Sequence, residues 1–95
     1  MQKVTIMKSA LGNVIPNQYI IHDFRLKRGL AGIAFQSYDS IIAMITKSGQ
    51  VYLDRYYWDY SVTTGKYRNM FLRETKRETL RKIKSGVYKL INLNE

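Results

Sequence analysis

Ile41-Ile42-Ala43-Met44-Ile45-Thr46-Lys47-Ser48-Gly49-Gln50-Val51-Tyr52-Leu53-Asp54 holds two apolar, β-branched runs on either side of one turn signal. Ile41 to Thr46 and Gln50 to Asp54 have strand composition, and Ser48-Gly49 supplies the positive φ that a tight connection needs. A β-hairpin at this point sets an antiparallel sheet as the frame for the rest of the chain. Upstream, Gln2 to Lys8 alternates Val4 and Ile6 against Lys3, Thr5 and Lys8, the period of a half-buried strand. Ser9 to Asn17, with Gly12, Asn13 and Pro16, reads as a turn region. Gln18 to Lys27 then sets Ile20, His22, Phe24 and Leu26 on one face and Ile21, Asp23, Arg25 and Lys27 on the other. Arg28-Gly29 marks a break. Gly32 to Tyr38 forms a further strand with Ile33 and Phe35 on the same side, and Asp39-Ser40 makes a turn or bulge ahead of the hairpin.

Downstream of the hairpin the character changes. Arg55-Tyr56-Tyr57-Trp58-Asp59-Tyr60 is an aromatic block, followed by a segment dense in Lys and Arg. In an extended conformation Tyr56, Trp58 and Tyr60 point one way and Tyr57 and Asp59 the other. Large aromatics bury well, so this alternation predicts Trp58 in the core and leaves Tyr57, with Arg55, as an exposed stacking platform. Ser61 is a candidate N-cap, and Tyr67, Met70 and Phe71 follow at the i, i+3, i+4 spacing of a buried helix face. Thr75-Lys76-Arg77-Glu78 has the form of a capping box, with Leu80, Ile83 and Val87 as the apolar stripe behind it. Ser85-Gly86 closes that helix, and Val87 to Ile91 forms a last short strand. One continuous helix from Ser61 to Ser85 would place Glu74, Glu78 and Arg81 on the apolar stripe, so a break near Arg73 is the better account. The predicted fold is α+β: a small antiparallel sheet with a β-hairpin, packed against one or two C-terminal helices, in a single domain over residues 1–95.

Composition narrows the function classes. The absence of Cys excludes disulfides, thiolate nucleophiles and thiolate metal sites. His22 is the sole histidine and sits beside Asp23 in a strand pattern, which suits a satisfied, half-buried side chain rather than a ligand or general base. Asp23, Asp39, Asp54 and Asp59 are scattered. Ser61-Val62-Thr63-Thr64-Gly65-Lys66 lacks the order of a phosphate-binding loop and reads as a cap and first helical turn. A non-enzymatic protein with no cofactor and no metal is expected. No apolar run reaches the length of a membrane helix and the start carries no signal-peptide pattern, so the expected setting is cytoplasmic.

Net charge is +9, from 16 Lys and Arg against 7 Asp and Glu, which on a chain of 95 residues favours polyanionic partners. The cations are also arranged. Arg77, Arg81 and Lys84 stand at i, i+4, i+7 and so share one helix face, with Arg73 one turn earlier if that residue is helical. A solvated face opposite Leu80 and Ile83 would produce the same spacing; the overall charge adds weight to phosphate contacts. The candidate polyanion-binding set is therefore Arg55, Tyr57, Arg73, Arg77, Arg81 and Lys84.

Phe35-Gln36-Ser37-Tyr38-Asp39-Ser40-Ile41-Ile42-Ala43, Val51-Tyr52-Leu53-Asp54 and the run from Tyr57-Trp58-Asp59-Tyr60 through Ser61-Val62-Thr63-Thr64-Gly65-Lys66 to Leu72 together resemble small bacteriophage and mobile-element proteins. The likeness continues through Glu74-Thr75 and Ile91-Asn92-Leu93-Asn94 and does not extend to Met1 to Leu30. It implies a phage-type accessory protein acting in a host cell and carries no catalytic or binding residue with it. Such proteins bind nucleic acid or disable host factors, CRISPR nucleases among them. Two expectations follow: a binder of nucleic acid or a nucleoprotein, or an inhibitor of a host defence nuclease acting by protein–protein or protein–guide contacts. A homo-oligomer through the Tyr-rich face is a third.

Overall fold

A computed structural model describes residues 2–95. Strands β1 (Lys3–Lys8), β2 (Val14–Arg25), β3 (Ala31–Ser37), β4 (Ser40–Thr46), β5 (Val51–Asp54) and β6 (Lys89–Ile91) form one six-stranded sheet in sequence order. The first five run antiparallel to their neighbours; β6 pairs parallel to β5 after the chain has passed through α1 (Val62–Leu72) and α2 (Lys76–Lys84). The fold is α+β, and the hairpin, the two helices and the last short strand are all present. Among the described residues no helix is long and apolar enough to cross a membrane.

The β4–β5 hairpin closes with Gly49 at φ 95°, its amide donating to the Thr46 carbonyl while Thr46 N donates to Gln50 O. That is a type I turn ended by a left-handed glycine, the conformation only glycine adopts without strain. Both faces of the sheet are covered. Under the helices lie Met7, Ile15, Phe35 and Ile42 with Tyr67 and Phe71, continuing into Ala43, Val51, Leu53 and Tyr88 with Trp58, Leu72 and Ile83. The Phe71 ring stacks on Phe35 at 5.8 Å. On the opposite face Ile21, Phe24, Leu26, Ala34, Ile41 and Met44 enclose Leu93 from the C-terminal segment.

Three irregularities redirect side chains that strict alternation would misplace. Ile42 lies between the pairs Phe35↔Ala43 and Gln36↔Ile41, so Ile42 and Ala43 both face the helices and Ile41 turns to the other core. At His22-Asp23 the β2–β3 register shifts and Asp23 takes φ 56°. Ile21, Phe24 and Leu26 therefore share one core and Ile20 goes to the other, where the alternation had grouped Ile20 with Phe24 and Leu26. His22 is half-buried, with Nε2 3.2 Å from Thr5 Oγ1. Near the start of β2, Lys8 pairs with Val14 but Ile6 with Tyr19, with Asn17 at φ 66°. The expected turn over Ser9 to Asn17 is thus cut short: β2 already begins at Val14, and Pro16 sits where the ladder is interrupted and no amide donor is needed. In β1 Met7 is buried and Val4 is 57% exposed, again contrary to the alternation.

The helices correct the expectation on a different ground. Ser61 caps α1 by accepting from Thr64 N, and Arg73 ends it in the left-handed conformation, φ 56°, ψ 46°. The buried residues of α1 are Thr64, Gly65 and Arg68, while Met70 is 41% exposed. The capping box at α2 is complete in both directions: Glu78 N donates to Thr75 Oγ1 and Thr75 N donates to Glu78 Oε1. Thr79, rather than Leu80, is its fully buried residue.

A buried carboxylate explains that choice. Glu74, with 4% of its side chain exposed, accepts from Lys82 Nζ (2.7 Å), Tyr88 Oη (2.7 Å) and Thr79 Oγ1 (2.5 Å), tying α2 to the connection before it and the segment after it. Burial works to raise its pKa, but the bonds from Lys82, Thr79 and Tyr88 outweigh that and hold the carboxyl below its ordinary value. A carboxyl with a lowered folded-state pKa stabilises the fold above its unfolded pKa and loses that contribution as pH falls through the folded one. Denaturant unfolding of the protein should therefore lose stability on acidification below about pH 4.3. Glu74→Gln should be less stable at neutral pH and show a shallower acid limb; an unchanged limb would remove Glu74 from the account.

Candidate polyanion-binding site

α2 has 9 residues, and with Thr79 and Ile83 turned inward, the rotation of about 100° per residue carries Arg77, Arg81 and Lys84 to the outward side. All three are exposed. The other two cations of α2 are engaged: Lys76 Nζ lies 2.7 Å from Asp59 and Lys82 Nζ 2.7 Å from Glu74. Among the described residues Arg77, Arg81 and Lys84 have no ion-pair partner. The one carboxylate of the helix, Glu78, is committed to the cap, where the Thr75 amide and hydroxyl hold its pKa below the ordinary value. Cations in the last turn also suit the helix dipole, which accounts for their presence near the C-terminus but not for their lying on one side.

The other expected members are placed differently. Arg73 is exposed but belongs to the left-handed link ahead of α2. Arg55 is exposed at the end of β5, where its amide donates to Ile91 O, so it sits on a separate element from the stripe. Tyr57 is not the exposed platform that alternation suggested: it packs on the core beneath α1 and meets Tyr60 edge-on at 5.7 Å. Within the aromatic block the exposed rings are Tyr56 (73%) and Tyr60 (70%). The reason is local. Asp54, fully buried, accepts from the amides of Tyr56 and Tyr57 (both 3.0 Å), winding the block into a turn in place of a strand.

Sequence reasoning missed Arg68. Its side chain is 1% exposed and its guanidinium lies 5.2 Å from the Trp58 ring centroid, within cation–π range. Nη1 donates to the Trp58 carbonyl (2.6 Å) and to Asp59 (3.3 Å), and Nη2 to Asn69 (3.0 Å). Burial acts first to raise the Asp59 pKa, but hydrogen bonds from Lys76 and Arg68 prevail and lower it. The available signal was Trp58-Asp59 upstream and Gly65 three residues before Arg68; the expectation that arginine is exposed concealed it. Among the described residues no three His, Asp or Glu side chains come together as a metal site.

The model of a family of unknown function, DUF8033, matches residues 2–86. The chain belongs to DUF8033. The DUF8033 match takes in β1 to α2, so the outward stripe, the Asp54 turn and Arg68 all lie inside it. No curated protein and no solved structure matches the chain.

Proposed function

We propose that this DUF8033 protein is a non-enzymatic binder of nucleic acid or of a nucleoprotein, using α2 as the contact. The observation that carries this reading is the sorting of cations on α2: those facing neighbouring elements are paired with carboxylates, and Arg77, Arg81 and Lys84 have no ion-pair partner among the described residues and share one exposed face. Cations about 5–6 Å apart along a helix can each meet a phosphate, releasing condensed counterions. Arg73, exposed in the link ahead of α2, is a further cation for such a contact, and Arg55 with exposed Tyr56 offers a separate stacking contact. Likeness to small phage proteins supports an accessory role of phage type.

Affinity for a mixed-sequence oligonucleotide should fall steeply with salt. A log–log slope of about −2 to −4 is expected for three or four phosphate contacts. A flat salt dependence would sink the proposal.

A second reading, inhibition of a host defence nuclease, is favoured by a different feature. Ile33 (43% exposed), Ile45, Phe71 and Leu72 line an apolar groove of about 580 Å³ between Lys47 and Arg73, suited to an apolar side chain on an acidic surface. Pull-down from bacterial lysate separates the two. Loss of every partner on nuclease digestion supports the first, and a protein retained through digestion supports the second.

A further inference from the structure

We propose that the groove between the Asp59–Ser61 turn, the first turns of α1 and the start of α2 is a discrete site for one phosphate group, held by Arg68, Lys66 and Lys76. It is a second anion site, on other residues than the α2 stripe and independent of it. The groove has a volume of about 630 Å³, ample for a phosphate, and Asp59, Ser61, Gly65, Lys66, Arg68 and Lys76 line it.

Three observations converge there. The first is the buried guanidinium. Of the five N–H donors of Arg68, Nη1 uses two and Nη2 one within the protein. Nε is buried and has no acceptor among the described residues. Nature rarely leaves such a donor unmatched, and a guanidinium held in place by Trp58 and Asn69 is already ordered for an anion. Its charge is also under-neutralised. Asp59 is the one carboxylate in the groove, 3.3 Å from Arg68 and shared with Lys76 at 2.7 Å, so three cations face one anion.

The second observation is the start of α1. Ser61 Oγ satisfies Thr64 N, while the amides of Val62 and Thr63 have no acceptor among the described residues. A helix of 11 residues presents its positive end at this point. The third is Gly65. A Cβ there would lie 3.7 Å from Nη1 and Nη2 of Arg68, ordinary contact, so nothing in the packing forbids alanine. The better helix former is nonetheless absent from an interior helical position, and its absence keeps the groove open above the guanidinium. Convergence of helix amides, a planar guanidinium and two ammonium groups suits the several oxygens of a phosphate better than a planar carboxylate. In the protein alone Asp59 serves as the internal competitor for these donors.

Titration of ¹⁵N-labelled protein with inorganic pyrophosphate tests the site. Amide shifts should appear at Val62, Thr63 and Gly65 and persist in Arg77→Glu/Arg81→Glu, which removes the α2 stripe. Gly65→Ala should raise the melting temperature yet weaken pyrophosphate binding by about tenfold, and Asp59→Asn should tighten it by a similar factor. Shifts confined to α2, or Gly65→Ala binding as tightly as the native chain, would overturn the proposal. A 5′-phosphorylated dinucleotide and its unphosphorylated form identify the source. Matching shifts from the phosphorylated form alone assign the site to a nucleic-acid end, and equal response to pyrophosphate only assigns it to a free phosphate compound.

Discussion

Arg77→Glu/Arg81→Glu is expected to weaken nucleic-acid binding by about 100-fold or more at physiological salt. Each substitution removes a phosphate contact and puts a like charge where the contact was. The salt slope should also become shallower by about two, since two fewer counterions are released. Folding should hardly notice. Both side chains are exposed, neither has an ion-pair partner among the described residues, and substitutions of that kind typically change stability by less than about 0.5 kcal/mol. Fluorescence anisotropy with a labelled oligonucleotide, beside a melting curve, reads both quantities. Native-like affinity in a folded double variant would rule α2 out as the contact surface.

Asp54→Ala should have the largest effect on stability. Both carboxylate oxygens are fully used: Oδ2 accepts from Tyr56 N and Tyr57 N, and Oδ1 from Leu93 N (2.7 Å) and Asn94 Nδ2 (3.0 Å). Asn94 in turn brackets Ile41, accepting from its amide and donating to its carbonyl. Alanine leaves the Leu93 amide buried without an acceptor and releases both the aromatic turn and the C-terminal segment. Orphaned buried donors together with lost charge-assisted bonds cost about 3–5 kcal/mol, a large share of the roughly 5–15 kcal/mol that holds such a domain folded. The melting temperature should drop by on the order of 20 °C. Asp54→Asn, which keeps one acceptor, should fall between the two. A melting temperature for Asp54→Ala within about 5 °C of the native chain would show that the turn stands without it.

What was legible in the sequence was the chemistry that acts over a few residues. Ser48-Gly49, the Thr75/Glu78 box, the Ser61 cap and Ser85-Gly86 each specify their local conformation without help from the rest of the chain, and each stands where its residues imply. The α+β class follows from them. Strand faces were less legible because period 2 presumes an unbroken register. Irregularities at Ile42, at His22-Asp23 and around Pro16 each move later side chains to the other face, and they are set by pairing with distant strands.

The candidate site divides in the same way. Arg77, Arg81 and Lys84 could be grouped because helical spacing is a local property. The partial burial of Tyr57 could not be foreseen, since it depends on Asp54 winding the block into a turn, and the acceptance of Arg68 into the interior depends on Trp58 and Asp59 meeting it there. A polar residue at the foot of a strand is ambiguous until its partners, here the amides of Leu93 and its own neighbours, are known.

β6 also sets an order on folding. Every earlier strand pairs with the one before it across a short turn, so each closure costs little chain entropy. β6 is the exception: Tyr52 pairs with Lys89, with both helices in the intervening loop. The five-stranded meander has mostly local contacts, unusual for a protein so rich in strand, and such contacts form fast. The parallel strand can pair only once β5 is in place, and its closure spans both helices. Opening of that pairing would expose the seat of Leu93 while the rest of the sheet stays closed, and it must first release Leu93 and Asn94 from Asp54.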